Sequence, residues 1–117
     1  MKTHRDLDVW KLSREFVSEI YKVSADFPKS ETYGLMNQIR RSAVSIPSNI
    51  AEGSARQGNK EFIQFLYIAL GSLVELETQL LIAIDLKYLK EDKNLFKKLE
   101  RIRMMLIGLI RSIKKKT

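Results

Sequence analysis

Apolar residues recur every three or four positions along this chain, in four blocks separated by short polar breaks. In the first block Val9, Leu12, Phe16, Ile20, Val23 and Phe27 share one helical stripe, which Trp10, Val17 and Tyr21 widen. Asp6 or Asp8 suits its start. Phe27-Pro28 closes it, because a residue before proline is pushed out of the α region. The second block begins near Ser30 or Thr32 and carries Met36, Ile39, Ala43, Ile46 and Ile50 as far as Gly53. Pro47 lies inside it and leaves the Ala43 carbonyl without its helical partner. A bend is expected there, at about 3 kcal/mol before packing offsets it.

In the third block Phe62, Leu66, Ala69, Leu73, Leu76, Leu80 and Ala83 alternate spacings of four and three, the signature of a bundle seam. Ile63, Leu70, Val74, Leu81 and Ile84 flank them, so this helix is expected to be the most buried of the set. Gln64, Glu75 and Glu77 interrupt its apolar runs, which are expected to be too short for a membrane span of about 20 residues. The fourth block places Leu95, Leu99, Ile102, Leu106, Leu109 and Ile113 on one face. The pattern predicts one all-α domain over residues 1–117, with helices near 6–26, 31–53, 59–88 and 92–115. Short connections imply an antiparallel up-and-down four-helix bundle.

Composition narrows the chemistry. Five Gly and two Pro in 117 residues are too few turn formers for an all-β fold. The absence of Cys excludes disulfides, thiolate metal sites and cysteine nucleophiles. His4, the single histidine, cannot supply the two Glu-x-x-His pairs of a di-iron bundle, and a chain end is expected to be mobile. No histidine lies near Ser42, Ser45 or Ser48 to act as a base. No catalytic residue, metal ligand or cofactor is therefore expected, and the protein reads as a non-enzyme. The opening residues carry charges of both signs and no apolar run, unlike a secretory signal, so a cytoplasmic location is expected.

The net charge of +7 lies entirely in one segment: residues 90–117 hold ten Lys and Arg against three acids, and the remainder balances. Such placement suggests a polyanionic partner, or a solvated helix end whose cations complement the helix dipole. Lys97, Arg101, Met104, Gly108, Arg111 and Lys115 form the outward face of the fourth helix. Its small, apolar middle is either a plain exposed face or a place for another protein to approach. On the second helix a polar stripe runs through Gln38, Arg41 or Ser42, Ser45, Asn49 and Glu52. It is either a solvated face or a hydrogen-bonded seam against another helix or subunit. Folding about the 53–59 turn brings Arg40 and Arg41 near Glu75 and Glu77, where structural ion pairs are expected.

Three stretches carry a family resemblance: LDVWKLSREFVSEIYKVSADFPKSETYGL, QIRRSAVSIPSNIAEGSAR and EFIQFLYIALGSLVELETQL. Together they resemble the bacterial four-helix-bundle proteins first named for reading frames in intervening sequences of 23S rRNA genes. Arg40, Arg41, Ser45, Pro47, Asn49, Ala51, Glu52 and Gly53 coincide with the central motif of that family. Ser42 departs from it, where alanine is commoner, as does Gly58, where serine would complete a capping box with Glu61. The resemblance implies a left-handed up-and-down bundle, a homo-oligomer that is typically a pentamer, and no catalysis. A similar protein is an accessory factor of diversity-generating retroelements, binding nucleic acid and a reverse transcriptase.

The leading expectation is an oligomer that binds RNA or DNA backbone without base readout, through Lys97, Lys98, Arg101, Arg111, Lys114, Lys115 and Lys116. Arg40, Arg41, Ser45, Pro47, Asn49, Glu52, Glu75 and Glu77 are assigned to folding and assembly. Aromatic residues are expected in the core, leaving little for stacking on single strands. The competing expectation is a scaffold or accessory subunit that binds a protein partner. Membrane association through the lysine-rich end is the weakest option, and none is expected.

Overall fold

A computed structural model describes residues 3–117, which form four α-helices; among the described residues there is no strand. They are α1 (Asp8–Ser24), α2 (Leu35–Ser54), α3 (Asn59–Asp85) and α4 (Lys93–Lys115). The body measures 46 × 25 × 19 Å. Helix α2 packs on both α1 and α3, and α4 on both α3 and α1.

The core follows the apolar stripes with three local shifts, one on α4 and two on α1. All seven α3 seam residues, from Phe62 to Ala83, are buried. On α4 the last interior positions are Leu106, Ile110 and Ile113, with Ile110 in place of Leu109. Spacings of three and four only approximate a turn of about 3.6 residues, so which of two adjacent apolar residues faces inward depends on the neighbouring helix. On α1 Ser13 and Ser24 are buried, and Leu12 and Val23 beside them flank the core. Both serines remain satisfied: Ser13 Oγ donates to Trp10 O (3.0 Å) and Ser24 Oγ to Ile20 O (2.7 Å).

Helix ends depart from expectation where side chains from elsewhere take part. Neither Asp6 nor Asp8 caps α1; Thr3 and Asp6 form a capping box on a 3-10 turn at His4–Asp6, and α1 follows from Leu7. His4 packs edge-on against Trp10, with centroids 4.8 Å apart. Helix α2 starts at Leu35 because Lys29–Glu31 form a separate 3-10 turn after Pro28. Glu31 ties this connection down: one carboxylate oxygen accepts from Leu35 N (3.1 Å), the other from Tyr88 Oη (3.1 Å). That hydrogen bond to a carboxylate is the main reason the Tyr88 phenol is held above its ordinary pKa. Helix α3 stops at Asp85, not near 88, since Lys87 adopts a left-handed φ of 63°. Lys87 N donates to Ile84 O and Tyr88 N to Ala83 O, both at 2.9 Å, the paired bonds of a Schellman ending. Asp92 caps α4 by accepting from Asn94 N (3.0 Å) and Leu95 N (3.2 Å).

The α3 N-cap is Gly58, which has extended backbone and no side-chain cap. A Cβ there meets nothing within 4 Å. Gly58→Ser therefore places a hydroxyl over the first turn without a clash, and Glu61 three residues on completes the box. The expected gain is about 0.5–1 kcal/mol, read as a higher midpoint in chemical denaturation at unchanged slope.

Helix α3 is less enclosed than its sequence suggests. Tyr67, Ile68, Val74, Leu81 and Ile82 are each 42–51% exposed, so its apolar circumference exceeds what α2 and α4 cover. By length and composition alone α3 could cross a membrane, contrary to expectation. Its seam nevertheless lies in the core against α2 and α4.

Candidate nucleic-acid interface

The basic residues assigned to α4 divide into three groups. Lys97, Arg101, Arg111 and Lys115 are exposed on the outward side, opposite the buried stripe Leu95, Leu99, Ile102, Leu106, Ile110 and Ile113. Among the described residues none of the four has an ion-pair partner. At a rise of about 1.5 Å per residue the row is about 27 Å long. Met104, 56% exposed, and Gly108, whose Cβ would meet open space, separate its two cationic pairs. The second group is turned towards neighbouring helices. Lys98 pairs with Glu19 of α1, and Lys114 Nζ donates to Tyr67 Oη of α3 (2.8 Å) above the ring of that residue. Each is therefore partly committed within the chain. Lys115 continues into the third group, Lys116, which is exposed at the C-cap.

Arg103 is basic but does not join this face. Its Nε donates to Glu100 Oε2 (2.9 Å), and Glu77 of α3 adds a further attraction. The bond to Glu100, then its charge, hold Arg103 above its ordinary pKa; the same bond draws the Glu100 carboxyl below its own.

Between α2 and α3 the expected charge pairs are absent and a hydrogen-bonded seam takes their place. Arg40 turns back to α1: Nε donates to Ser24 Oγ (2.9 Å), Nη2 to Tyr21 O (3.1 Å), and the guanidinium lies 4.4 Å over the Tyr21 ring. Glu75 is met from α2 by Ser42 Oγ, which donates to Oε1 (2.8 Å). Ser45 and Ser72 share a hydroxyl bond of 2.8 Å, and Asn49 Nδ2 donates to Ser45 O (2.8 Å) and Oγ (2.9 Å). The polar stripe is thus a seam against another helix at these positions. Short side chains suit it because the backbones approach closely, most of all at Gly53. Pro47 is buried within a continuous helix, and Glu52 forms an exposed pair with Arg56 (3.1 Å). Glu77 lies on the α4 side and does not meet Arg40 or Arg41.

Aromatic side chains are not confined to the core. Tyr33 is 94% exposed, and Tyr21 and Tyr67 are nearly half exposed. Each of the latter two carries a cation over its ring. Periodicity could not show this: Tyr33 lies in the α1–α2 connection, where no repeat predicts burial.

Among the described residues no group of three His, Asp or Glu is placed to hold a metal. No curated protein matches the chain. The family described as 23S rRNA-intervening sequence protein matches residues 5–108, which takes in all of α1, α2 and α3 and most of α4. The chain belongs to the 23S rRNA-intervening sequence protein family.

Proposed function

We propose that this protein is a non-enzymatic homo-oligomer that holds the phosphate backbone of RNA or DNA against the outer face of α4. The observation that carries this reading is the unpaired row Lys97, Arg101, Arg111 and Lys115, continued by Lys116. Cations without acidic partners are free to displace condensed counterions from phosphates, which is the source of sequence-independent affinity. The row itself consists of Lys and Arg with no Asn or Gln among its members, so the recognition proposed is of backbone charge.

The bundle is proposed to be antiparallel, up and down, and left-handed. Paired positions descend on α3 as they rise on α2, from Ser42 with Glu75 through Ser45 with Ser72 to Gly53 with Phe65. The alternation of four and three on α3 favours the left-handed twist. Assembly is proposed through the exposed apolar positions Tyr67, Val74 and Leu81 of α3, which leaves the outward face of α4 free. Clustered exposed apolar residues mark protein interfaces, and a ring of five is the size the family resemblance implies. The same positions favour a second reading, in which they receive a different protein and the basic end steers it.

The test is fluorescence anisotropy of labelled RNA and DNA duplexes across a salt series, with Lys114, Lys115 and Lys116 changed to Ala for comparison. The expected result is a straight log–log decline whose slope is shallower in the variant by about 2–3. Identical slopes would remove the C-terminal lysines from the interface. Heparin competition separates the readings, because it displaces nucleic acid and leaves an apolar protein partner bound.

A further inference from the structure

A cleft of about 570 Å³ lies between the end of α1 and the start of α2, away from α4, and its walls include Tyr21, Tyr33, Met36, Arg40, Arg41 and Val44. No acidic side chain lines it. Arg40 is already fixed there by Ser24 and Tyr21, stacked on the Tyr21 ring, so its plane is set before any ligand arrives. Arg41 is exposed and has no hydrogen-bond or ion-pair partner among the described residues. Beside them Tyr33 presents almost its whole surface to solvent.

We infer that this cleft binds an unpaired nucleotide of single-stranded RNA or DNA, a contact separate from the duplex-backbone row on α4. The inference rests on the nucleic-acid reading above and deepens it. Three groups divide the work: Tyr33 stacks on the base, the Arg40–Tyr21 pair forms a flat second wall, and the Arg41 guanidinium takes a phosphate through its fork of N–H donors. Charge argues against the other occupants. The apolar α3 face of a second copy would bury Arg41 without a partner, which is costly, and the basic α4 face would repel it. A duplex keeps its bases stacked and offers none to Tyr33. The cleft volume is within the range of small-molecule and single-residue ligand sites, roughly 300–1,000 Å³.

The experiment compares a short labelled single-stranded RNA with the same RNA annealed into a duplex, on the wild type and on Tyr33→Ala, Tyr33→Phe and Arg41→Ala. Both positions are exposed, so the variants fold, and sedimentation records their assembly state. Tyr33→Ala is expected to weaken single-strand binding about tenfold or more while leaving duplex binding unchanged, and Tyr33→Phe to restore it. Arg41→Ala is expected to lower the single-strand salt slope by about 0.7. Unchanged single-strand affinity in Tyr33→Ala, or an equal loss on both RNAs, overturns the inference alone. A variant that dissociates the oligomer overturns it too, by making the cleft a subunit interface. Failure of the wild type to bind either RNA overturns both this inference and the function it rests on.

Discussion

Changing Lys97, Arg101, Arg111 and Lys115 together to alanine lowers the affinity for nucleic-acid duplex by about a hundredfold or more near 0.1 M salt. The magnitude follows from counterion release. Each phosphate contact contributes about 0.9 to the log–log salt slope, so four lost contacts flatten it by up to about 3.6. The fold should survive, because all four side chains are exposed, none has an ion-pair partner among the described residues, and alanine is the best helix former. Stability is expected to change by no more than about 0.5 kcal/mol for each position. Lys98→Ala tests the same argument from the other side. Lys98 is already paired with Glu19, so its loss should cost less affinity than the loss of Lys97. Anisotropy at fixed salt, with thermal unfolding of each variant, measures both effects.

Gly53→Ala should destabilise the protein by about 2–3 kcal/mol, even though glycine to alanine inside a helix ordinarily gains about 1 kcal/mol. The reversal has a local cause. A Cβ at Gly53 would lie 2.6 Å from Phe65 Cβ, 3.1 Å from Phe62 Cδ1 and 3.3 Å from Phe62 O. The first of these atoms is fixed to the α3 backbone, so the end of α2 must move away from α3. That movement loosens Phe62, which is 8% exposed, and loads the hydrogen bonds of the seam. Gly108→Ala is the control. Its Cβ meets nothing within 4 Å, and the ordinary propensity gain should appear there. Denaturant midpoints of the two variants should move in opposite directions; movement in the same direction would mean that α2 and α3 are not in close contact at Gly53.

The interior of this fold was largely legible because it depends on a repeat. The α3 stripe from Phe62 to Ala83 reads directly from sequence and is buried at every position. The burial of Ile110 in place of Leu109 shows the limit of that method: fours and threes only approximate a turn of about 3.6 residues, and the neighbouring helix decides which of two adjacent apolar residues it covers. Polar partnerships were less accessible. Arg40 lies two helical turns from carboxylates in a flattened picture of α2 and α3, yet it binds Ser24 and Tyr21 because α2 is also packed on α1. Glu31 closes two connections at once only because the 86–92 segment passes beside it, which no local pattern encodes. The outward basic row follows from the same periodicity as the core, and its four cations are exposed opposite the buried stripe. The exposed tyrosines were not foreseen, since composition counts aromatics without saying which of them a neighbour covers.

The most direct test of the central claim is the binding of the unmodified protein to a labelled RNA duplex, begun at the lowest salt that keeps it dispersed and followed as salt is raised. The account predicts saturable binding whose affinity falls linearly on log–log axes, with a slope reflecting about four to six phosphate contacts. Absence of binding at the lowest salt, or an affinity indifferent to salt, would contradict it.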